Sequence, residues 1–131
     1  MATFRASFEF PPSPYAPGMA RRVIGELFES WALDGALQID AKVLVNELVS
    51  NAVDHADNDV VLELDVTASD GWLRVGLADG STIRPVVREL DHSAPRGRGM
   101  QIVSELAHRW GSEQHSGGKR VWFELHAADS S

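Results

Sequence analysis

Three groups of residues in this 131-residue chain have the types and spacing to do chemistry together. In the first, Glu47, Asn51 and His55 recur every fourth residue through Glu47-Leu48-Val49-Ser50-Asn51-Ala52-Val53-Asp54-His55. On a helix that spacing stacks a carboxylate, a carboxamide and an imidazole along one face. Val43, Leu44, Leu48, Val49, Ala52 and Val53 make the surrounding helix strongly apolar. Polar groups beside such neighbours lose water, which costs several kcal/mol, roughly, unless something partners them. A hydrated metal ion with phosphates would partner both Glu47 and Asn51, whereas a plain solvated helix face is the alternative. The second group is Asp79-Gly80-Ser81, where an apolar strand from Val75 delivers a carboxylate to its end and Gly80 permits a turn. A carboxylate in a cleft can accept the exocyclic amino hydrogens of adenine, although Asp-Gly is also an ordinary turn. The third is Pro95-Arg96-Gly97-Arg98-Gly99-Met100. Its glycines would let backbone approach a ligand, the helix start behind them would offer free N–H groups to phosphate, and Arg96 and Arg98 would add charge. It is neither the dinucleotide fingerprint nor a Walker loop, because the required glycines and the Gly-Lys-Ser/Thr ending are missing.

These groups need elements to position them. Thr3–Phe10 alternates with Phe4, Ala6, Phe8 and Phe10 on one side, which predicts a strand ended by Pro11-Pro12-Ser13-Pro14. From Tyr15 to Leu33 the positions Met19, Val23, Leu27 and Trp31, widened by Ile24 and Phe28, predict a helix that Asp34-Gly35 breaks. A second helix is predicted from Ile39 or Asp40 to Ala56, with Asp40 as its N-cap. Strands follow at Val60–Ala68 and Trp72–Ala78, joined by the hairpin signal Ser69-Asp70-Gly71. Residues 79–96 show no period. Gly97–Trp110 returns to helical spacing, and a last hairpin pairs Gly111–His115 with Lys119–His126 across Ser116-Gly117-Gly118. Strands at both ends and hairpins between them predict an α+β two-layer sandwich, an antiparallel or mixed sheet with three helices on one face. The four tryptophans, Trp31, Trp72, Trp110 and Trp122, are expected in core and sheet packing, and His55 in a structural or incidental role, with contact to a partner as the alternative.

Composition narrows the function. With 44% hydrophobic and 24% charged residues the chain reads as one globular domain over 1–131. A formal charge of −7 argues against a general grip on nucleic acid phosphates. No apolar run approaches the roughly 20 residues of a membrane span, and no secretory signal opens the chain. The absence of cysteine excludes disulfides and thiolate metal sites and agrees with a cytoplasmic setting.

The order of helix, strand end, loop, glycine turn and helix resembles the Bergerat ATP-binding fold of histidine kinases, gyrases and anti-sigma-factor serine kinases. Glu47-x-x-x-Asn51 matches the family's N box, Asp79-Gly80 its G1 box, and Gly97-Arg98-Gly99-Met100 its G2 box. Glu47–Ala56, Gly97–Gly111 and Lys119-Arg120-Val121-Trp122 look like the actinobacterial anti-sigma-factor kinases in particular, as does the short length. The resemblance implies ATP and Mg²⁺ as ligands, with Asn51 on the metal, Glu47 as general base and Asp79 reading adenine. Gly80, Arg96, Gly97, Arg98, Gly99 and Met100 would serve the nucleotide, and residues 80–96 would form a lid. It also implies a serine/threonine kinase that phosphorylates an anti-anti-sigma (STAS-type) protein and otherwise binds a sigma factor. A silent ATP- or ADP-binding regulator is the alternative, and a homodimer is compatible with either. Two positions depart from the pattern. Asp-x-Gly-x-Gly is here Asp79-Gly80-Ser81-Thr82-Ile83, and the Gly-Thr before the last strand is Gly118-Lys119.

Overall fold

The computed structural model describes residues 3–55, 61–79, 99–115 and 118–127. Its elements are β1 (Phe4–Phe10), α1 (Ala16–Ser30), a short 3-10 turn (Gly35–Leu37), α2 (Gln38–His55), β2 (Leu62–Ser69), β3 (Trp72–Asp79), α3 (Gly99–Leu106), β4 (Arg109–His115) and β5 (Gly118–His126). The strands form one sheet in the order β1-β2-β3-β5-β4, and every neighbouring pair is antiparallel. The α+β architecture with three helices is the expected one, and its sheet is wholly antiparallel among the described strands.

Strand alternation decides which side each residue takes. Leu62, Leu64, Val66 and Ala68 of β2, Leu73, Val75 and Leu77 of β3, and Val121, Phe123 and Leu125 of β5 all bury toward the helices. Ala41, Leu44, Val45, Leu48, Val49 and Ala52 of α2 meet them, joined by Val103 of α3. The other face of the sheet is polar. There Arg120 pairs with Asp65 at 2.9 Å, Arg109 with Glu124 at 3.0 Å, and the Arg74 guanidinium lies 4.2 Å from the centre of a Trp122 ring. Two glycines make that crowding feasible. A Cβ on Gly76 would come 3.1 Å from Arg120 Cδ, and one on Gly111 would come 3.0 Å from Trp122 Cζ2.

Several local details differ from the sequence expectation. The fully buried stripe of α1 is Ala16, Ala20, Ile24 and Phe28, while Met19, Val23, Leu27 and Trp31 flank it partly buried. Small alanines let the helix sit close, and the larger residues close its margins. Asp40 is not the cap. Asp34 is, its Oδ1 accepting from Ala36 N at 3.0 Å to start the 3-10 turn that runs into α2. The third helix stops at Leu106, and Arg109 and Trp110 already pair in β4, opposite Glu124 and Phe123. Trp110 reaches the core from a strand, so an apolar residue that fits helical spacing was placed there by sheet pairing. Between β2 and β3, Asp70 and Gly71 have φ of 54° and 81°, as a two-residue type I′ hairpin requires. Trp31 stacks on Phe4 with ring centres 5.4 Å apart, consistent with a packing role. No helix among the described residues is long and apolar enough to cross a membrane.

Helix α1 ends one turn before Asp34. Ala32 sits at φ 51°, with Ala32 N donating to Glu29 O at 3.3 Å and Leu33 N to Phe28 O at 3.0 Å. That is the paired-bond helix ending usually built on glycine, because a Cβ disfavours left-handed backbone. Ala32 is exposed, so nothing around it needs the methyl. Ala32→Gly is therefore expected to stabilise the fold by up to about 1 kcal/mol in urea unfolding, with an unchanged m-value.

Candidate nucleotide site

Helix α2 carries the first two candidate residues. Its wide apolar stripe faces the sheet, which leaves Glu47 and Asn51 at the margin of that stripe, both half-buried and one turn apart. Burial raises the Glu47 carboxyl above the ordinary glutamate value, and a hydrogen bond from the Asn46 side chain pulls it partly back. Asn46 is itself held, its Oδ1 accepting from the Arg21 guanidinium on α1. Arg21 and Asn46 thus orient Glu47 through a short relay. Nothing in their spacing gave a signal, because the relay forms only when α1 packs against α2.

Asp79 is the last residue of β3 and only 7% exposed. It lines a small cleft with Asn51, Leu48 and Ala52 of α2, Leu77 of β3, and Lys119 and Val121 of β5. Asn51 and Asp79, predicted from separate motifs, therefore meet at one site. Gly99 and Met100 open α3, which packs on α2. Gly80, Arg96, Gly97 and Arg98, and with them the expected lid over 80–96, lie outside the described residues, as does the side chain of His55.

Lys119, which in the sequence marks only a departure from the family's Gly-Thr pattern, lines the cleft as well. It is Asp79's register partner across β3 and β5, and it is 6% exposed. Burial pushes its ammonium below the ordinary lysine value, and the Asp79 carboxylate resists that shift. Strand parity was the available signal, since Lys119 shares its side of β5 with Val121, Phe123 and Leu125.

Leu48, Ala52, Leu77 and Val121 give the cleft apolar walls, and Asp79 and Lys119 give it a polar end. Among the described residues no cluster of three or more His, Asp or Glu could hold a metal alone.

Comparison with known proteins agrees with this fold. The family model described as histidine kinase-like ATPase domain matches residues 10–125. The crystal structure of the RsbU and RsbW domains of Rv1364c from Mycobacterium tuberculosis is similar, with a TM-score of 0.69 at 17% identity over 94% of this chain. The chain spans 32% of that structure's length. The catalytic domain of histidine kinase ThkA in a nucleotide-free form has a TM-score of 0.54 at 17% identity, covering 92% of this chain and 95% of that one. A second nucleotide-free form gives 0.56 at 13% identity, over 94% and 96%. No curated protein matches significantly. A five-stranded antiparallel sheet under three helices, a family match over nearly the whole chain and a cleft shared by Asn51 and Asp79 lead to one conclusion: the chain belongs to the histidine kinase-like ATPase domain family.

Proposed function

We propose that this chain binds Mg-ATP and transfers the γ-phosphate to a serine or threonine of a partner protein, as an anti-sigma-factor-like kinase. The observation that carries the reading is the convergence of Asn51 and buried Asp79 on one cleft, with half-buried Glu47 one helical turn away. The fold's likeness to a structure whose name includes an RsbW domain supports the regulatory branch. In this reading Asp79 accepts from the adenine amino group and Asn51 holds Mg²⁺. Gly80, Arg96, Gly97, Arg98, Gly99 and Met100 serve the phosphates and the lid. Magnesium supplies charge neutralisation on the phosphates. Glu47 takes the proton of the attacking hydroxyl as its oxygen bonds to the γ-phosphorus and ADP leaves. A carboxyl raised by burial is a better base near neutral pH than an ordinary one. The partner is an anti-anti-sigma protein of the STAS type, and the chain otherwise binds a sigma factor in the cytoplasm.

Sequence favours a second reading at one point: Gly80-Ser81-Thr82-Ile83 lacks the later G1 glycines, which suits a module that holds ATP or ADP and regulates without transfer. Incubation with labelled ATP and a co-purifying partner separates the two. Phosphoserine or phosphothreonine on the partner supports the kinase, and a stable complex with no transfer leaves the module.

Glu47→Gln is expected to bind Mg-ATP and the partner nearly as wild type does, while phosphoryl transfer falls by about 10²–10⁴-fold. Transfer at the wild-type rate would remove Glu47 from the base role.

The same variant has a stability signature. The folded protein holds the Glu47 proton more tightly than the unfolded chain does, so this residue favours folding below the ordinary glutamate pKa of 4.5. That contribution is lost as pH rises through the higher folded value. Glu47→Gln should therefore gain stability relative to wild type as pH rises from about 4 toward neutrality. A difference independent of pH in thermal melts would mean that burial does not strain the carboxylate.

Asn51→Ala should weaken ATP binding in Mg²⁺ far more than in a chelator, because only the metal-bound complex uses the amide oxygen. Calorimetric titrations with equal losses in both conditions would reduce Asn51 to a structural residue.

A further inference from the structure

The end of the sheet away from the Asp79 cleft carries a second hollow. Strand β3 begins there at Trp72 and ends at Asp79, which separates the two by roughly 20–25 Å along the strand. The hollow holds about 180 Å³ and opens to solvent. Phe4, Ala68, Trp72 and Leu73 line it from the sheet, and Leu33 and Leu37 from the connection between α1 and α2. Ala68 and Leu73 are core residues, whereas Phe4 is held against Trp31 and stays 39% exposed. Two carboxylates complete the lining, Asp34 from the helix layer and Asp70 from the β2–β3 hairpin. Asp34 Oδ1 accepts from Ala36 N at 3.0 Å, and Asp70 Oδ2 accepts from Ser69 Oγ at 3.5 Å. Both residues are exposed, and neither pairs with a cation among the described residues. No lysine, arginine or histidine among those residues lines the hollow.

We propose that this hollow docks a basic segment of a partner protein, which seats one large apolar side chain in it and sets lysines or arginines beside that side chain against Asp34 and Asp70. Size and charge select that occupant. An apolar cavity of roughly 150 Å³ accepts benzene, so this hollow has room for one leucine or phenylalanine side chain and not for a whole cofactor. Two unpaired carboxylates on an apolar lining favour cations next to that side chain and repel acidic ones. The net charge of −7 draws a basic segment toward the chain from a distance. Because the hollow and the Asp79 cleft lie at opposite ends of β3, docking leaves the cleft open. The proposal therefore does not depend on the ATP reading above.

The test is amide NMR on the full chain with three synthetic peptides, acetyl-Ala-Lys-Phe-Lys-Ala-amide and its Glu-Phe-Glu and Lys-Ala-Lys counterparts. The Lys-Phe-Lys peptide should give saturable shifts centred on Leu37, Ala68, Gly71 and Leu73. The Glu-Phe-Glu peptide should bind about five-fold or more weakly at low salt, with the gap closing as salt rises. The Lys-Ala-Lys peptide should bind about ten-fold or more weakly, for want of a ring to bury. Asp34→Asn combined with Asp70→Asn removes both charges while asparagine still caps the turn and tolerates left-handed backbone. In that variant the two phenylalanine peptides should bind within about two-fold of each other. Should it fail to fold, the wild-type peptide series decides alone. Shifts that do not saturate or that centre elsewhere overturn the proposal, and so does an undiminished preference for the cationic peptide in the double variant. Movement of the same amides on dilution of the chain without peptide would assign the hollow to a second copy and overturn it as well.

Discussion

The packing of α2 across the paired strands β3 and β5 is the contact on which the rest of the site depends. Leu44, Leu48, Val49 and Ala52 bury against the sheet interior formed by Val75, Leu77, Val121 and Phe123. Each large apolar side chain buried there contributes roughly 1.5–3 kcal/mol. Together they fix the rotation of the helix about its own axis. Glu47 and Asn51 are carried by the same helix, so that rotation also fixes how deeply each is buried. Without this packing the two would be polar residues on an amphipathic surface, with Glu47 an ordinary solvated carboxylate.

The same packing creates a polar problem at the strand ends. Antiparallel register places Asp79 opposite Lys119, and alternation turns both toward the helices. Removing two charges from water costs several kcal/mol per ion, roughly, and their attraction recovers this only with good geometry and further hydrogen bonds. A matched apolar pair of similar volume would fold at least as well, so the pair is weak evidence for stability. Glu47 fits the same pattern, kept partly desolvated and oriented through Asn46 and Arg21. The opposite face of the sheet behaves differently. There the ion pairs of Arg120, Arg109 and Arg74 lie across an open surface, where such contacts add little to stability, and their long side chains cover strand backbone and Trp122.

Much of the architecture was legible in the chain because period and parity are local properties. Alternation in Thr3–Phe10, the Asp70-Gly71 turn and the apolar stripe of residues 41–52 each announce one element without help from the others. The errors fall where a non-local partner overrode a local pattern. Trp110 satisfied helical spacing but pairs in β4 opposite Phe123, and Asp34 rather than Asp40 supplies the cap, through the intervening 3-10 turn. The left-handed Ala32 had no signal, because glycine is the residue that marks such an ending and here it is absent.

By itself the sequence determined the residue types and their order: a carboxylate and carboxamide one helical turn apart, an aspartate ending an apolar strand, and a helix start at Gly97-Arg98-Gly99. Those follow from spacing of 3.6 and 2 residues, which any segment carries within itself. Only the tertiary structure decided that Asn51 and Asp79 share a cleft, that Lys119 stands across from Asp79, and that Asn46 and Arg21 orient Glu47. The physical reason is that burial and charge pairing depend on which elements come together. Sheet register and helix packing set that juxtaposition, across segments far apart in the chain.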